Sequence, residues 1–197
     1  MSVLRHIWRI VSLRSLRFAI INRVELSSAK TSWSKVPRIN GLLRIQGKGR
    51  IQFGKNVKIN SGKNYNIIGG DTRTALVVKK NARLVIGDNC GISNCSIVCH
   101  EFVQLGKDVK IGGGVKIYDT DFHQLDAHLR RDAKTDIGRT KPVFIDDDAF
   151  IGAHSIILKG SYVGKGAIIG AGSVVRGRVP DNEIWTGNPA KFVRKIH

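Results

Sequence analysis

Branched aliphatic residues recur at every sixth position along one stretch of the chain. The series has no gap and comprises Ile145, Ile151, Ile157, Val163, Ile169 and Val175. Small side chains stand four residues after the first five of these: Ala149, Ser155, Ser161, Ala167 and Ser173. A period of six fits neither the 3.6-residue turn of an α-helix nor the two-residue alternation of a strand. Short tandem units of this kind are typical of a parallel β-helix.

Three six-residue sides complete one coil of about eighteen residues. Each aliphatic is therefore predicted to stack on the residue three places later in the series, as Ile145 would stack on Val163. Glycine directly follows the aliphatic where the backbone has to turn a tight corner, at Gly152, Gly164 and Gly170. The sequence thus predicts an all-β domain, a parallel β-helix with a column of aliphatic side chains inside.

The same phase continues upstream with less regularity. Two runs, offset by one extra residue, carry it: Ile86, Ile92 and Val98, then Leu105, Ile111 and Ile117. We assign residues 43–179 to the β-helix, residues 1–42 to a basic, partly helical N-terminal segment and residues 180–197 to a C-terminal extension. Residues 118–142 interrupt the repeat and are predicted to form an inserted loop. Loops on a rigid scaffold are where binding and catalytic groups concentrate.

The formal net charge of +18 is unevenly spread. Residues 1–50 hold eleven Lys or Arg against one acid, Glu25, which leaves +10 in that segment. An opening helix would carry apolar residues on one face and two arginines opposite, with Arg14 on the apolar side. The residues on these faces are Leu4, Ile7, Trp8 and Val11, then Arg5 and Arg9.

Two interpretations of this basic segment stay open. Its arginines leave no apolar run long enough to span a bilayer or to form the core of a signal peptide. A helix in residues 1–25 would lie on an anionic membrane surface, or it would cap the open end of the β-helix. The segment has few aromatic residues and no nucleic-acid motif, which argues against nucleic acid as the partner.

The three cysteines, Cys90, Cys95 and Cys99, are odd in number and lack CxxC spacing. This pattern argues against a disulfide framework and against a zinc ribbon. Cys90 falls on a small-residue position of the repeat, so we expect it to pack in the core. Reduced thiols favour a cytoplasmic location, with peripheral contact at the inner face of the membrane left open.

Two closing segments, together with the repeat and its interruption, resemble the hexapeptide-repeat acyltransferases. These segments are Ile169-Gly170-Ala171-Gly172-Ser173-Val174-Val175 and Gly187-Asn188-Pro189-Ala190-Lys191. The similarity covers about residues 75–197 and is closest to the maltose, galactoside, nodulation-factor and surface-polysaccharide O-acetyltransferases. It implies left-handed coils, a homotrimer with active sites between subunits, and acetyl-CoA as donor. Separately, Asn188 before Pro189 has the pattern of a helix N-cap and predicts a short C-terminal helix.

The resemblance also implies a general base in the interruption. His123 matches the position of the family's catalytic histidine, and imidazole is suited to removing a hydroxyl proton near neutral pH. A carboxylate on the other ring nitrogen would fix the tautomer, and either Asp121 or Asp119 would supply it, with Asp121 favoured. Asn94 lies near where some relatives use an asparagine to position the acceptor or the thioester; a turn or an asparagine ladder is the alternative.

The donor contacts are likewise implied by the resemblance. In similar proteins the pantetheine arm binds backbone at the positions that match Ala153 and Ala171, where small side chains allow a close approach. Arg176 and Gly177 follow at the next corner; the family often has Thr-Lys there, so only their backbone roles carry over. Basic residues that match Lys191 and Arg194 meet the nucleotide phosphates, through charge-assisted hydrogen bonds.

The sequence therefore predicts an O-acetyltransferase that moves an acetyl group directly from acetyl-CoA to a hydroxyl of a sugar or glycan. A surface polysaccharide or a lipid-linked saccharide is the favoured acceptor, and no metal is expected. Antibiotics or different small molecules are also compatible with the repeat as acceptors. A zinc-dependent gamma-type carbonic anhydrase, which would draw on His100, His123 and His128, is less favoured, and so is a non-catalytic binding module.

Overall fold

The computed structural model describes residues 2–196, and for residues 2–12 and 14 it describes the backbone alone. The apolar face expected at Leu4 to Val11, with the arginines around it, therefore lies outside the described side chains. Two helices are present in the described range, α1 Ser2–Ser28 and α2 Ala127–Arg130. The strands, in chain order, are β1 Lys30–Trp33, β2 Arg38–Gly41, β3 Arg44–Gly47, β4 Arg50–Phe53, β5 Lys58–Ser61, β6 Ala75–Val78, β7 Arg83–Ile86, β8 Gly91–Ser93, β9 Ser96–Cys99, β10 Phe102–Leu105, β11 Lys110–Ile111, β12 Lys116–Tyr118, β13 Val143–Ile145, β14 Phe150–Ile151, β15 Ile156–Ile157, β16 Tyr162–Val163, β17 Ile168–Ile169, β18 Val174–Val175, β19 Arg178–Val179, β20 Glu183–Gly187 and β21 Ala190–Lys195.

These strands form the three faces of a prism, because each sheet takes every third strand. Sheet A has the order β1-β4-β7-β10-β13-β16-β19, and sheet C has the order β3-β6-β9-β12-β15-β18. Sheet B has the order β2-β5-β8-β11-β14-β17-β20-β21, and its last pair alone is antiparallel within the described residues. The predicted parallel β-helix is confirmed.

The interior column follows the six-residue period. Ile145 pairs with Val163, and the next two rungs of the prism join Ile151 to Ile169 and Ile157 to Val175. All six side chains are at most 1% exposed. Full burial of such a side chain stabilises a fold by about 1.5–3 kcal/mol. The serines at the small-residue positions are buried as well, and their hydroxyls donate to main-chain carbonyls of Gly170 and Val175.

The early coils depart from eighteen residues in two places. Leu105 pairs with Ile86, nineteen residues before it, so the extra residue seen in the sequence is absorbed inside one coil. Ile86 in turn pairs with Phe53, because the chain leaves the prism between β5 and β6. Parallel pairing begins at Lys30, ahead of the boundary expected at Leu43.

The end of α1 covers the open first coil. Asn22 donates from Nδ2 to the carbonyl of Gly41 at 2.8 Å, and its Oδ1 accepts the amide of Leu43 at 3.0 Å. The carboxylate of Glu25 accepts the amide of Ile45 at 2.6 Å, and Leu26 is 2% exposed. These contacts satisfy edge groups that would otherwise be unpaired. In its final turns α1 is therefore a cap. No helix in the described part of the chain is long and apolar enough to cross a membrane.

The predicted C-terminal helix is wrong. Residues 183–195 form an antiparallel β-hairpin, β20–β21, and the cis peptide bond Asn188–Pro189 stands in its turn. Ile184 and Trp185 continue sheet B by pairing with Ile168 and Ile169, so one more strand covers the last coil. The Asn-Pro pattern is common to helix caps and to turns. Here the stacking of apolar residues on the coil below decides between the two.

The three cysteines are free and buried, as expected for core residues. The Cys90 thiol donates to the carbonyl of Gly106. Burial raises the pKa of Cys90 to about 11 and that of Cys99 to about 12, and it also raises the pKa of Cys95. These thiols therefore remain protonated at neutral pH.

Candidate active site

The loop between β12 and β13 is pinned at its base by a buried carboxylate. Asp119 is completely buried and accepts three main-chain amides, from His100, Glu101 and Phe102, at 2.7, 2.8 and 2.9 Å. The carbonyl of Asp119 accepts the amide of Lys141 from the returning strand of the loop. The loop therefore starts and ends at one fixed corner of the prism, where sheet C passes to sheet A.

His123 stands on this loop and is paired with Asp136. Its Nδ1 lies 2.6 Å from Asp136 Oδ2, and the other carboxylate oxygen accepts the amide of Gln124 at 2.7 Å. Hydrogen bonding from His123, and next from Gln124, lowers the pKa of Asp136. The carboxylate therefore stays ionised at neutral pH and favours a proton on Nδ1. Nε2 is then left as an acceptor on a side chain that is 67% exposed.

In the structure the carboxylate paired with His123 is Asp136 and not the favoured Asp121. The carboxylate of Asp121 forms an ion pair with Lys159 at 3.2 Å, and Asp119 is the buried anchor of the loop. Asp136 reaches His123 because the loop folds back on itself. The amide of Asp121 donates to the carbonyl of Arg139, which brings the returning half of the loop beside His123. Asp136 lies thirteen residues after His123, and no repeat or motif marks that distance in the sequence.

Two further features fix the backbone of His123. Phe122 has a positive φ of 65° and packs edge-on against Tyr118, with ring centroids 5.1 Å apart. Gly138 passes so close that an added Cβ would lie 2.8 Å from the amide nitrogen of His123. Such a separation is shorter than real side chains show, so position 138 accepts only glycine without a shift of the histidine.

Asn94 is buried, and both ends of its amide are occupied within the chain. Oδ1 accepts the amide of Gly62 at 2.8 Å, and Nδ2 donates to the carbonyl of Asn66 at 2.8 Å. These contacts hold the excursion between β5 and β6. Asn94 also adopts a positive φ at a corner of the prism. This arrangement agrees better with the turn or asparagine ladder that the sequence left open than with contact to the acceptor or the thioester.

Ala153 and Ala171 occupy successive turns of one corner, where sheet B passes to sheet C. The amide of Gly172 donates to the carbonyl of Ala153 at 2.8 Å, so the two turns are stacked. The coils approach closely here, because an added Cβ on Gly152 would lie 2.5 Å from the amide nitrogen of Ala171. In the described residues, neither the amide of Ala153 nor that of Ala171 donates a hydrogen bond.

The basic candidates divide between two corners. Arg176 and Gly177 follow β18, at the passage from sheet C to sheet A, and Gly177 has a φ of 89°. Lys191 and Arg194 are exposed on β21, the last strand of sheet B. Lys191 pairs with Thr186, whose hydroxyl oxygen would lie 2.8 Å from an added Cβ on Gly170. Lys191 therefore belongs to the same end of the molecule as Ala171.

The loop that carries His123 and the corner formed by Ala153 and Ala171, the alanine corner, lie at different edges of the prism. His123 extends from the edge between sheets C and A, whereas Ala153 and Ala171 lie on the edge between sheets B and C. The width of sheet C separates the two edges within one chain.

Residues 142–177 match the family described as bacterial transferase hexapeptide, six repeats. The matched segment holds the most regular part of the six-residue repeat. This match confirms the resemblance to the hexapeptide-repeat acyltransferases drawn from the sequence. The fold agrees with it, since known hexapeptide structures have the predicted left-handed parallel β-helix.

Two curated relatives and one solved structure indicate the range of similarity. The galactoside O-acetyltransferase of Lactococcus lactis is 36% identical over 104 residues, 53% of this chain and 48% of the relative. The mitochondrial gamma carbonic anhydrase 2 of Arabidopsis thaliana is 35% identical over 109 residues, 45% of this chain and 37% of the relative. The chain thus spans half or less of these relatives. A hexapeptide-repeat acetyltransferase of Vibrio cholerae, complexed with acetyl coenzyme A, is 30% identical with a TM-score of 0.53, covering 58% of this chain and 61% of that one.

Proposed function

We propose that this protein is an O-acetyltransferase that moves an acetyl group from acetyl-CoA to a hydroxyl of a sugar or glycan. The observation that carries the proposal is the pair of His123 and Asp136, held on an anchored loop of a hexapeptide β-helix. A histidine with one nitrogen fixed by a carboxylate and the other exposed is equipped to act as a general base. The galactoside O-acetyltransferase relative and the acetyl-CoA complex of the Vibrio cholerae protein support the choice of acceptor and donor.

The proposed reaction is a direct transfer within a ternary complex. Nε2 of His123 takes the proton from the acceptor hydroxyl while the hydroxyl oxygen forms a bond to the thioester carbonyl carbon. The carbon–sulfur bond then breaks, and the imidazolium returns the proton to the CoA sulfur. Asp136 remains ionised and stabilises the imidazolium between these two steps. The products are the acetyl ester and free CoA.

The donor is proposed to lie along the alanine corner. The amides of Ala153 and Ala171 are available to the pantetheine arm, and the two small side chains leave room for it. The exposed cations Lys191 and Arg194 are proposed to meet the CoA phosphates, with Arg176 and Gly177 contributing from the neighbouring edge. Because His123 and the alanine corner lie on different edges of one prism, a neighbouring copy in a homotrimer would bring them together.

A surface polysaccharide or lipid-linked saccharide is the proposed acceptor. An acceptor of this kind is assembled at a membrane, and the basic N-terminal segment fits such a setting. We accordingly propose peripheral contact of residues 1–25 with an anionic membrane. A screen of acetyl-CoA consumption across sugars, nucleotide sugars, amino acids and antibiotics identifies the acceptor class. Turnover on antibiotics alone would favour a small-molecule acetyltransferase.

Replacement of the histidine tests the mechanism. His123→Ala should lower turnover by about 100-fold or more, because the hydroxyl proton then has no acceptor in the transition state. Calorimetric affinity for CoA should stay unchanged, since the proposed donor contacts are the main-chain amides of Ala153 and Ala171 and the cations of β21, not His123. Turnover near that of the wild type in this variant would remove His123 from the mechanism. Loss of CoA binding by the wild-type protein would favour a non-catalytic module.

The similarity to a gamma carbonic anhydrase favours a second candidate function, that of a zinc-dependent carbonic anhydrase. In the described residues, no group of three or more His, Cys, Asp or Glu side chains is arranged to hold a metal. Elemental analysis of the purified protein distinguishes the two candidates. Acetyl transfer that persists after dialysis against a chelator supports our proposal; stoichiometric zinc together with CO₂ hydration would overturn it.

A further inference from the structure

The outward face of α1 carries an apolar stripe. Leu13, Leu16, Ile20 and Val24 follow one another at intervals of three and four residues, which places them on one side of the helix. Their exposed fractions are 59%, 59%, 58% and 62%, although these side chains are large and apolar. We call this set the α1 stripe. Exposed apolar side chains that are contiguous, rather than scattered, indicate a docking surface.

The opposite face of the same helix is already occupied. Asn22 and Leu26 are buried against the first coil. Each lies two residues after a stripe residue, Ile20 and Val24 respectively, and so is roughly 200° further around the helix at 100° per residue. The cap therefore fixes the rotation of α1 and leaves the stripe exposed, with Ile20 and Val24 lining a groove beside Val36 and Ile39 of the first coil. Among the described residues, none covers the stripe.

Cations surround the stripe. The helical positions of the exposed residues Arg17 and Arg23 place them on either side of it. The side chain of Arg23 is steadied by Trp33, whose ring centroid is 5.6 Å from the guanidinium carbon.

A second group of cations begins just after α1, on β1, which is one of the three strands that the helix contacts. Lys30, Arg50 and Arg83 occupy paired positions on three adjacent strands of sheet A, about 4.8 Å from rung to rung. Lys48 and Lys80 line the same shallow groove. Among the described residues, none of the five forms an ion pair with a carboxylate. Like charges in register repel one another, so a bound anion would stabilise this column.

We propose that the α1 stripe and this cationic column together dock the protein on an anionic lipid bilayer. The stripe inserts among the acyl chains at the headgroup boundary, and the cations pair with lipid phosphates. This combination of an apolar face with flanking Arg and Lys is what an interfacial helix requires. The inference narrows the membrane contact that we propose above to one surface, and it is independent of the acetyl-transfer chemistry.

Vesicle binding tests the stripe directly. The wild-type protein should sediment with vesicles that contain phosphatidylglycerol, and should do so at least about tenfold less with pure phosphatidylcholine vesicles, because the cations add to the partitioning. The double variant Ile20→Glu/Val24→Glu should bind anionic vesicles at least about tenfold more weakly than the wild type. Its matched control is Ile67→Glu/Ile68→Glu, at apolar residues exposed by 85% and 58% in the excursion after β5, which should bind like the wild type.

Charge is tested with a second matched pair. Lys30→Gln/Arg50→Gln/Arg83→Gln should lower vesicle binding and weaken its dependence on salt. Lys55→Gln/Lys107→Gln/Lys165→Gln removes the same charge from exposed lysines on another edge of the prism and should leave binding nearly unchanged. An equal loss of vesicle binding in both triple variants would mean that net charge alone determines binding. It would contradict a specific membrane-binding role of Lys30, Arg50 and Arg83.

The oligomeric state separates the bilayer from a second copy of the chain. Light scattering should give the same mass for the wild type and for Ile20→Glu/Val24→Glu. A lower mass in the variant would show that a second copy of the chain covers the stripe. A wild-type protein that fails to bind anionic vesicles would show that the stripe does not dock on the bilayer. Either result would overturn the proposal. The assay contains neither donor nor acceptor, so its result stands apart from that of the acetyl-transfer experiments.

Discussion

Asp136 shows how the candidate active site is assembled from residues that the repeat does not mark. The resemblance to the hexapeptide-repeat acyltransferases indicates His123 as the candidate base, because this histidine follows shortly after a regular coil. It does not identify the carboxylate partner, because the pairing depends on how a loop of more than twenty residues folds back. A search for acids anywhere in the interruption includes Asp136, but spacing alone gives no reason to prefer it to Asp121.

Exchanging each of the two acids in turn tests the pairing. Asp136→Asn removes the charge that holds the proton on Nδ1, and kcat should fall by about 10-fold to 1000-fold. Asp121→Asn, the matched control, breaks an ion pair with Lys159 and should change kcat by less than about threefold. Steady-state kinetics with the identified acceptor measures both. If Asp121→Asn were the more damaging variant, the carboxylate assignment would be reversed.

At the level of elements, the six-residue period predicts the coils because their packing is local in sequence. Each aliphatic contacts its counterpart one coil away, and that repeat can be read from the chain alone. The C-terminal hairpin is not predicted, because its strands are defined by pairing with β17 and with each other. The excursion after β5 is not predicted either, because the six-residue period is less regular in the early coils.

The interior column makes a stability prediction. Ile151→Ala removes a fully buried side chain between two coils and should lower the free energy of unfolding by about 2–5 kcal/mol. Ile67→Ala makes the same chemical change at a residue that is 85% exposed and should cost less than about 0.5 kcal/mol. Chemical denaturation of both variants measures the difference. Equal effects would mean that the column does not determine the stability of the prism.

The β20–β21 hairpin makes a prediction about the donor. Lys191→Glu/Arg194→Glu reverses two exposed charges that we propose to meet the CoA phosphates, so the KM for acetyl-CoA should rise by about tenfold or more. The kcat should be largely retained, because neither residue touches the reacting atoms. Lys195→Glu, at the end of the same strand, is the control for a general effect of charge on the hairpin. A fall in kcat with KM unchanged would assign the hairpin a different role.

For the whole molecule, the central claim is that one active site takes its base from one copy and its donor corner from the next. The prism predicts this division, since the two sets of residues lie on different edges of sheet C. Ala171→Glu would block the donor corner and His123→Ala removes the base, so each variant alone should be inactive.

Complementation between these two variants is the most direct test. The chains carry different affinity tags, are produced together, and mixed oligomers are isolated before acetyl transfer is measured. A site shared between copies should recover about one third of the wild-type activity in mixed trimers, because a single interface in each of them joins an intact base to an intact donor corner. His123→Ala mixed with Asp136→Asn, two changes on the same loop, should recover no activity beyond that of Asp136→Asn. If His123→Ala and Ala171→Glu likewise recover none in mixed oligomers, the site lies within one chain and the account is contradicted.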